Sequence, residues 1–157
     1  MAANSDKRII HLHIPSELGY EKLAMGAVRS VAQQMGFSPD RIADLQTAVA
    51  EACTNAMEHG NRLHAGTRIE VVLTIGSDSL AVDVKDRGQS GSPIAPVPPR
   101  DIDNPPTNGH AGLGIFLIKQ LVDEVEFSTR PQGGQVRMVI YLEPRGERGP
   151  QPPAPTS

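Results

Sequence analysis

Along this chain apolar residues first alternate with polar ones and then recur every three or four positions, and that change of period marks the elements. Ile10, Leu12 and Ile14 alternate with Ile9, His11 and His13, which predicts a strand from Arg8 to Ile14, ended by Pro15. Leu23, Ala27, Val28, Val31 and Met35 then recur at helical spacing, with Ser16 as the expected N-cap and Gly36 as the stop. Ser38-Pro39-Asp40 supplies a cap, a proline at the first helical position and an early acidic residue, so a second helix is expected from there to about His59, with Gly60 just past its end. Ile69, Val71, Leu73 and Ile75, then Leu80, Val82 and Val84, read as a hairpin around Gly76-Ser77-Asp78. No period persists from Gly88 to Ala111. Ile115, Ile118, Leu121, Val122 and Val125 resume the helical spacing, and strands are expected at about Val125–Ser128 and Val136–Leu142. The order β-α-α-β-β-loop-α-β-β predicts an α+β fold: a two-layer α/β sandwich with a mainly antiparallel sheet and helices on one face.

Length and composition narrow this picture. With 157 residues, 38% hydrophobic and 21% charged, the chain suits one globular domain, expected over residues 1–143. Aromatics are only 3%, so the core must be aliphatic. Fifteen Lys and Arg against 18 Asp and Glu, with few aromatics to stack on bases, argue against nucleic acid as a direct partner. The longest apolar run, around Leu113 to Ile118, is too short to span a bilayer, and no signal-peptide pattern opens the chain. A lone cysteine, Cys53, excludes an intramolecular disulfide and suits a reducing compartment. The expected location is therefore the cytoplasm, with Cys53 a small buried filler. The 14 prolines cluster in two groups, six from Pro93 to Pro106 and five from Pro144 to Pro155. The first group falls in a loop too long to be incidental, and the second in a Pro-rich tail, residues 144–157, expected to be disordered.

Three segments could carry chemistry. In Glu51-Ala52-Cys53-Thr54-Asn55-Ala56-Met57-Glu58-His59-Gly60, residues Glu51, Asn55 and His59 fall four apart and form one row bordering the apolar stripe. That row suits a solvated helix boundary with His59 as a C-terminal cap. It equally suits a carboxylate general base beside an amide oxygen, the kind of hard ligand Mg²⁺ takes, and the small residues Ala48, Ala52 and Ala56 leave room for a bulky neighbour. Asp86 ends the hairpin in Lys85-Asp86-Arg87-Gly88 and shares the parity of Val82 and Val84. It can close an Asx-turn with Gly88 at positive φ, or stand as a buried carboxylate at the floor of a pocket. Asn108-Gly109-His110-Ala111-Gly112-Leu113-Gly114 leads into a helix, whose N-terminal amides make an anion site that glycines leave open. A dinucleotide-binding fingerprint is rejected because no strand precedes these glycines, and a P-loop because no Gly-Lys-Ser/Thr occurs.

An Asn-bearing helix, a strand ending in Asp-x-Gly, a long loop and Gly-x-Gly entering a helix, in that order, resemble the GHKL ATPases of the Bergerat fold. These segments correspond to that superfamily's N-box, G1 box, ATP lid (about residues 88–111) and G2 box. Within it the sequence is most similar to the bacterial anti-sigma factor serine/threonine kinases, over about Ile9 to Leu142, with Glu51 to Gly60 the most specific stretch. The resemblance implies ATP and Mg²⁺ as cofactors, Glu51 as general base and Asn55 as the Mg²⁺ ligand. It implies that Asp86 accepts from the adenine amino group, that Gly88 shapes the purine end, and that His110, Gly112, Leu113 and Gly114 lie at the phosphates.

The resemblance also implies partners: a sigma factor to sequester, an anti-anti-sigma protein phosphorylated on serine, and a homodimer. Two positions depart from the family pattern, His110 where an arginine often precedes the glycines and Gln135 where a threonine is usual near the adenine. They keep open a noncatalytic nucleotide-gated binding module, beside a switch kinase acting on a stress-signalling scaffold. The first strand is expected at an exposed sheet edge, and His11 and His13 alone are too few ligands for a metal.

Overall fold

The computed structural model describes residues 8–87 and 111–143. The loop expected as a lid and the Pro-rich tail lie outside these residues, as do Gly88 and His110. Five strands form one antiparallel sheet: β1 (Arg8–Pro15), β2 (Arg68–Ile75), β3 (Ser79–Lys85), β4 (Glu124–Arg130) and β5 (Gly133–Tyr141), in the order β1-β2-β3-β5-β4. Helices α1 (Glu21–Met35), α2 (Pro39–Asn55) and α3 (Ala111–Leu121) complete the described elements. This is the expected α+β sandwich, with β1 at one sheet edge.

The strand alternation acts as expected. Ile69, Val71 and Leu73 of β2, Leu80, Val82 and Val84 of β3, and Val136, Met138 and Ile140 of β5 all enter one core, where Leu45, Val49, Cys53 and Met57 meet them. Burial pushes the Cys53 thiol up to about 12, with Glu21 adding to the rise, so it packs as a neutral filler. No described helix is long and apolar enough to cross a membrane.

Helix α2 begins where its sequence signals fall. Ser38 is extended, its Oγ accepts from Arg41 N at 3.3 Å, and Pro39 occupies the first turn. Gly36 ends α1 at φ 96°, a left-handed conformation that favours glycine.

Three expectations are corrected. Ser16 does not cap α1, which starts at Glu21 after an uncapped Tyr20; Ser16 is buried, and its N donates to Thr67 O at 3.0 Å. With that start, α1 buries Ala24, Val28 and Ala32, and Leu23 is 58% exposed. Small residues on that face let α1 and α2 approach closely. The α-helical hydrogen bonding of α2 stops at Asn55 and gives way to a π turn over Ala56–Gly60, closed by Asn61 N donating to Ala56 O at 2.9 Å. Finally, β4 and β5 are longer than their apolar runs, because the hairpin turn is only Pro131-Gln132 and β5 starts at Gly133. Leu142 lies beyond β5, its N donating to Asp78 O at 2.9 Å.

Candidate functional site

Glu51 and Asn55 lie one turn apart on α2, half-buried at the rim of the core. Helix α3 crosses them at Gly114. A Cβ placed on Gly114 would fall 2.8 Å from Glu51 Oε2 and 3.2 Å from Asn55 Nδ2, so glycine lets the α3 backbone approach both side chains without displacing them. The structure thus brings Gly114 to a pair of residues about sixty positions earlier in the chain, and the N-terminal half of α3, with Gly112 and Leu113 in its backbone, leads into that contact. A carboxylate and an amide oxygen side by side form an oxygen donor pair of the kind Mg²⁺ accepts. His59 leaves the row expected with Glu51 and Asn55: the π turn adds a residue to the last winding, and His59 is exposed.

The second half of the site lies at the other end of the same helix. Asp86 is buried, its N donates to Gly134 O at 3.0 Å, and its Oδ1 accepts from Gly134 N at 3.0 Å. Two glycines make the position possible. A Cβ on Gly60 would fall 2.2 Å from Asp86 Cγ, and one on Gly133 would fall 2.2 Å from Asp86 O. Gly60 therefore ends the π turn directly against the Asp86 carboxylate. At 1.5 Å per residue, Glu51 and Gly60 are roughly 13 Å apart along the helix, so the α2 segment spans the distance from the Glu51–Asn55 pair to Asp86.

Gln135, expected near Asp86, is not there. Registered against Lys85, it lies on the opposite face of the sheet, and its Nε2 donates to Asp83 Oδ1 at 2.9 Å beside the Arg137–Asp83 ion pair. The β5 residue beside Asp86 is Gly134. Strand parity explains the difference: Val84 and Val136 pair on the core side, so Lys85 and Gln135 must pair on the other.

Sequence reasoning missed Asn61. It is fully buried, and its Nδ2 donates to Ser16 Oγ at 2.8 Å and to Arg68 O at 2.9 Å, while its Oδ1 accepts from Arg87 N at 2.9 Å. One amide thereby ties the ends of β1 and β3 and the start of β2 to the π turn, and fixes the backbone next to Asp86. The available signal was an Asn directly after the helix-ending Gly60, which reads locally as an ordinary turn residue.

Comparisons with known proteins identify the family and the fold. Residues 14–140 match the family described as histidine kinase-like ATPase domain. The serine-protein kinase RsbW of Bacillus velezensis is 34% identical over 145 residues, covering 88% of each chain. That of Bacillus subtilis is 32% identical over 154 residues, covering 94% of this chain and 92% of its own. Among solved structures, the RsbU and RsbW domains of a Mycobacterium tuberculosis protein superpose with a TM-score of 0.62 at 19% identity, over 85% of this chain and 32% of that one. A blue-light activated histidine kinase of Erythrobacter litoralis gives 0.51 at 21% identity, over 76% of this chain and 41% of its own. This chain thus spans less than half of either solved chain, and those likenesses speak to fold alone.

The match over residues 14–140 gives the class: the chain belongs to the histidine kinase-like ATPase family, within the GHKL superfamily. Membership implies ATP binding. Within the family it is a protein kinase, similar to the serine-protein kinases RsbW of the two Bacillus species.

Proposed function

We propose that the chain is a serine-protein kinase that sequesters a sigma factor and phosphorylates a serine of an anti-anti-sigma protein. The observation that carries this reading is the packing of Gly114 against Glu51 and Asn55, which puts a base, an amide oxygen and the first turns of a helix in one place. Phosphoryl transfer needs little more than positioning and charge neutralisation. In the proposed step the acceptor serine oxygen attacks the terminal phosphorus of ATP, the bond from that phosphorus to the bridging oxygen breaks, and ADP leaves. Glu51 takes the hydroxyl proton. Asn55 would hold Mg²⁺, which would supply neutralisation of the phosphate charge, and Asp86 would accept from the adenine amino group. The backbone at Gly112, Leu113 and Gly114 faces the phosphates. The same proposal takes residues 1–143 as one ATPase domain acting in the cytoplasm as a homodimer.

The rival reading, a noncatalytic nucleotide-gated module, drew on His110 and Gln135. Gln135 no longer favours it, because its side chain belongs to the Asp83 cluster on the far face. Transfer of label from Mg·ATP to the partner's serine tests the kinase. Glu51→Ala should abolish transfer and keep nucleotide, and Asn55→Ala should lose Mg-dependent binding. Nucleotide and sigma-factor binding by wild type without any transfer would instead establish the noncatalytic module. Transfer without sigma-factor capture would point to the switch kinase.

A further inference from the structure

The face of the sheet turned away from the helices holds a cavity of about 370 Å³ at the Asp86 end of the strands. Across it run His13, Glu70 and Lys85, adjacent by register on β1, β2 and β3, and around it stand Arg68, Arg87 and Arg130. Their neighbours Ile14, Ile69 and Val84 point into the core, which fixes these strand side chains on the outer side. Asp86 and Gln132 complete the wall.

The charges in this cavity do not balance. Among the described residues four permanent cations line it with two carboxylates, in a chain whose net charge is −3. Glu70 is already engaged: its Oε2 lies 3.1 Å from His11 Nδ1 and its Oε1 lies 4.0 Å from Lys85 Nζ. Among the described residues, Arg68, Arg87 and Arg130 enter no ion pair. Arg130 Nε is itself buried without a hydrogen-bond partner, a costly state for a charged donor. Three guanidinium groups from three segments of chain thus line one concavity, in the size range of a small-ligand site of about 300–1,000 Å³. Guanidinium forks match the oxygens of a tetrahedral anion, and a single carboxylate would occupy one fork and leave the others unpaired.

We propose that this cavity is a second anion site, across the sheet from the Glu51–Asn55 pair, which takes a phosphate-class dianion, either free phosphate or a small phosphate monoester. No residue of the Glu51–Asn55–Gly114 contact lines the cavity, and the one wall residue it shares with the proposed nucleotide site is Asp86, which is why the test is run with that site occupied.

Calorimetric titration of the full chain, saturated with Mg·ADP to occupy the nucleotide site, tests it with inorganic phosphate and with O-phosphoserine as separate probes. Saturable binding of one anion per chain is expected. Arg68→Gln and Arg87→Gln, both at exposed side chains, should weaken it roughly tenfold or more with unfolding midpoints unchanged. Glu70→Gln, which removes a negative charge from the wall, should tighten it. Tighter binding of O-phosphoserine assigns a monoester, and equal or tighter binding of inorganic phosphate assigns the free ion. Binding that disappears when Mg·ADP is present, that both arginine variants leave unchanged, or that nitrate reproduces with equal affinity would overturn the proposal, as would no saturable binding.

Discussion

Replacing Gly114 by alanine should separate the stability of the fold from its function. The added Cβ lies 2.8 Å from Glu51 Oε2, and ordinary contact begins at 3.4 Å, so the carboxylate must retreat by the difference, about 0.6 Å. Glu51 meets the methyl with the far end of a flexible side chain, and a rotamer displaced by some tens of degrees costs about 0.5–1.5 kcal/mol. Against this, alanine in place of glycine within a helix gains about 0.8–1.0 kcal/mol. The two nearly cancel, so the unfolding midpoint should move by only a few degrees. Phosphoryl transfer responds differently, because misplacement on the order of 1 Å can cost roughly 100-fold. We therefore expect transfer to fall about 10- to 100-fold in a protein that melts like wild type. Thermal unfolding and single-turnover transfer from Mg·ATP, measured on the same preparation, check both halves. Wild-type transfer by Gly114→Ala at an unchanged midpoint would refute the assignment of Glu51 and its glycine neighbour to the reacting centre.

Other outcomes follow from the remaining contacts. Asn61→Ala leaves the Arg87 N–H and the Arg68 carbonyl without their side-chain partner in a part-buried setting and should cost about 2–4 kcal/mol in denaturant unfolding; a loss under about 1 kcal/mol would mean water replaces the amide. Cys53, with its thiol held protonated by burial, should resist a thiol reagent at neutral pH in the folded chain and react only on unfolding. The His11 hydrogen bond, with help from the Lys85 and His13 charges, holds the Glu70 carboxyl below its usual value of 4.5. A depressed folded pKa stabilises the fold above the unfolded value, and that contribution disappears as pH falls through the lowered one. The stability gap between wild type and Glu70→Gln should therefore close on acidification below about pH 4.5, as paired denaturant melts along a pH series would record.

Where a signal is local, the sequence read true. Ser38-Pro39-Asp40 caps α2 because a cap needs only residues within one turn of it, and the alternation in β2 and β3 finds the core because parity is a property of the strand itself. Ser16 has equally good cap chemistry, yet its hydroxyl goes to Asn61, 45 residues away, and no local rule sees that competitor. The π turn is likewise a tertiary effect. Its wider winding delivers Gly60 to Asp86 and Asn61 to three separate backbone segments, at the expense of the i, i+4 row that put His59 with Glu51. Gln135 was misplaced by a single residue, enough in a strand to move it through the sheet. The Glu51–Asn55–Gly114 cluster was legible as motif order, but its contact depends on how α3 crosses α2. Of the candidates, Gly88 and His110 lie outside the described residues. The basic cavity left no sequence signal, since its arginines are scattered over three segments.

The strand order carries a consequence for how the chain assembles. Hairpins β2–β3 and β4–β5 close over a few residues each, whereas β1 must find β2 across α1 and α2, with Pro15 opposite Arg68 and Arg8 opposite Ile75. Long closures are slow because the chain entropy is lost before the contacts form. Joining β1 to β2 is one of two such closures, the other pairing β3 with β5 from Lys85–Gln135 to Ser79–Tyr141, and Asn61, which needs Ser16 at the end of β1, is completed only when the first occurs. The backbone beside Asp86 would thus acquire its final shape only with these long closures rather than with its own hairpin. Pulsed amide exchange during refolding can order these events, and protection of the β1 amides ahead of those in β3 would contradict the sequence of steps.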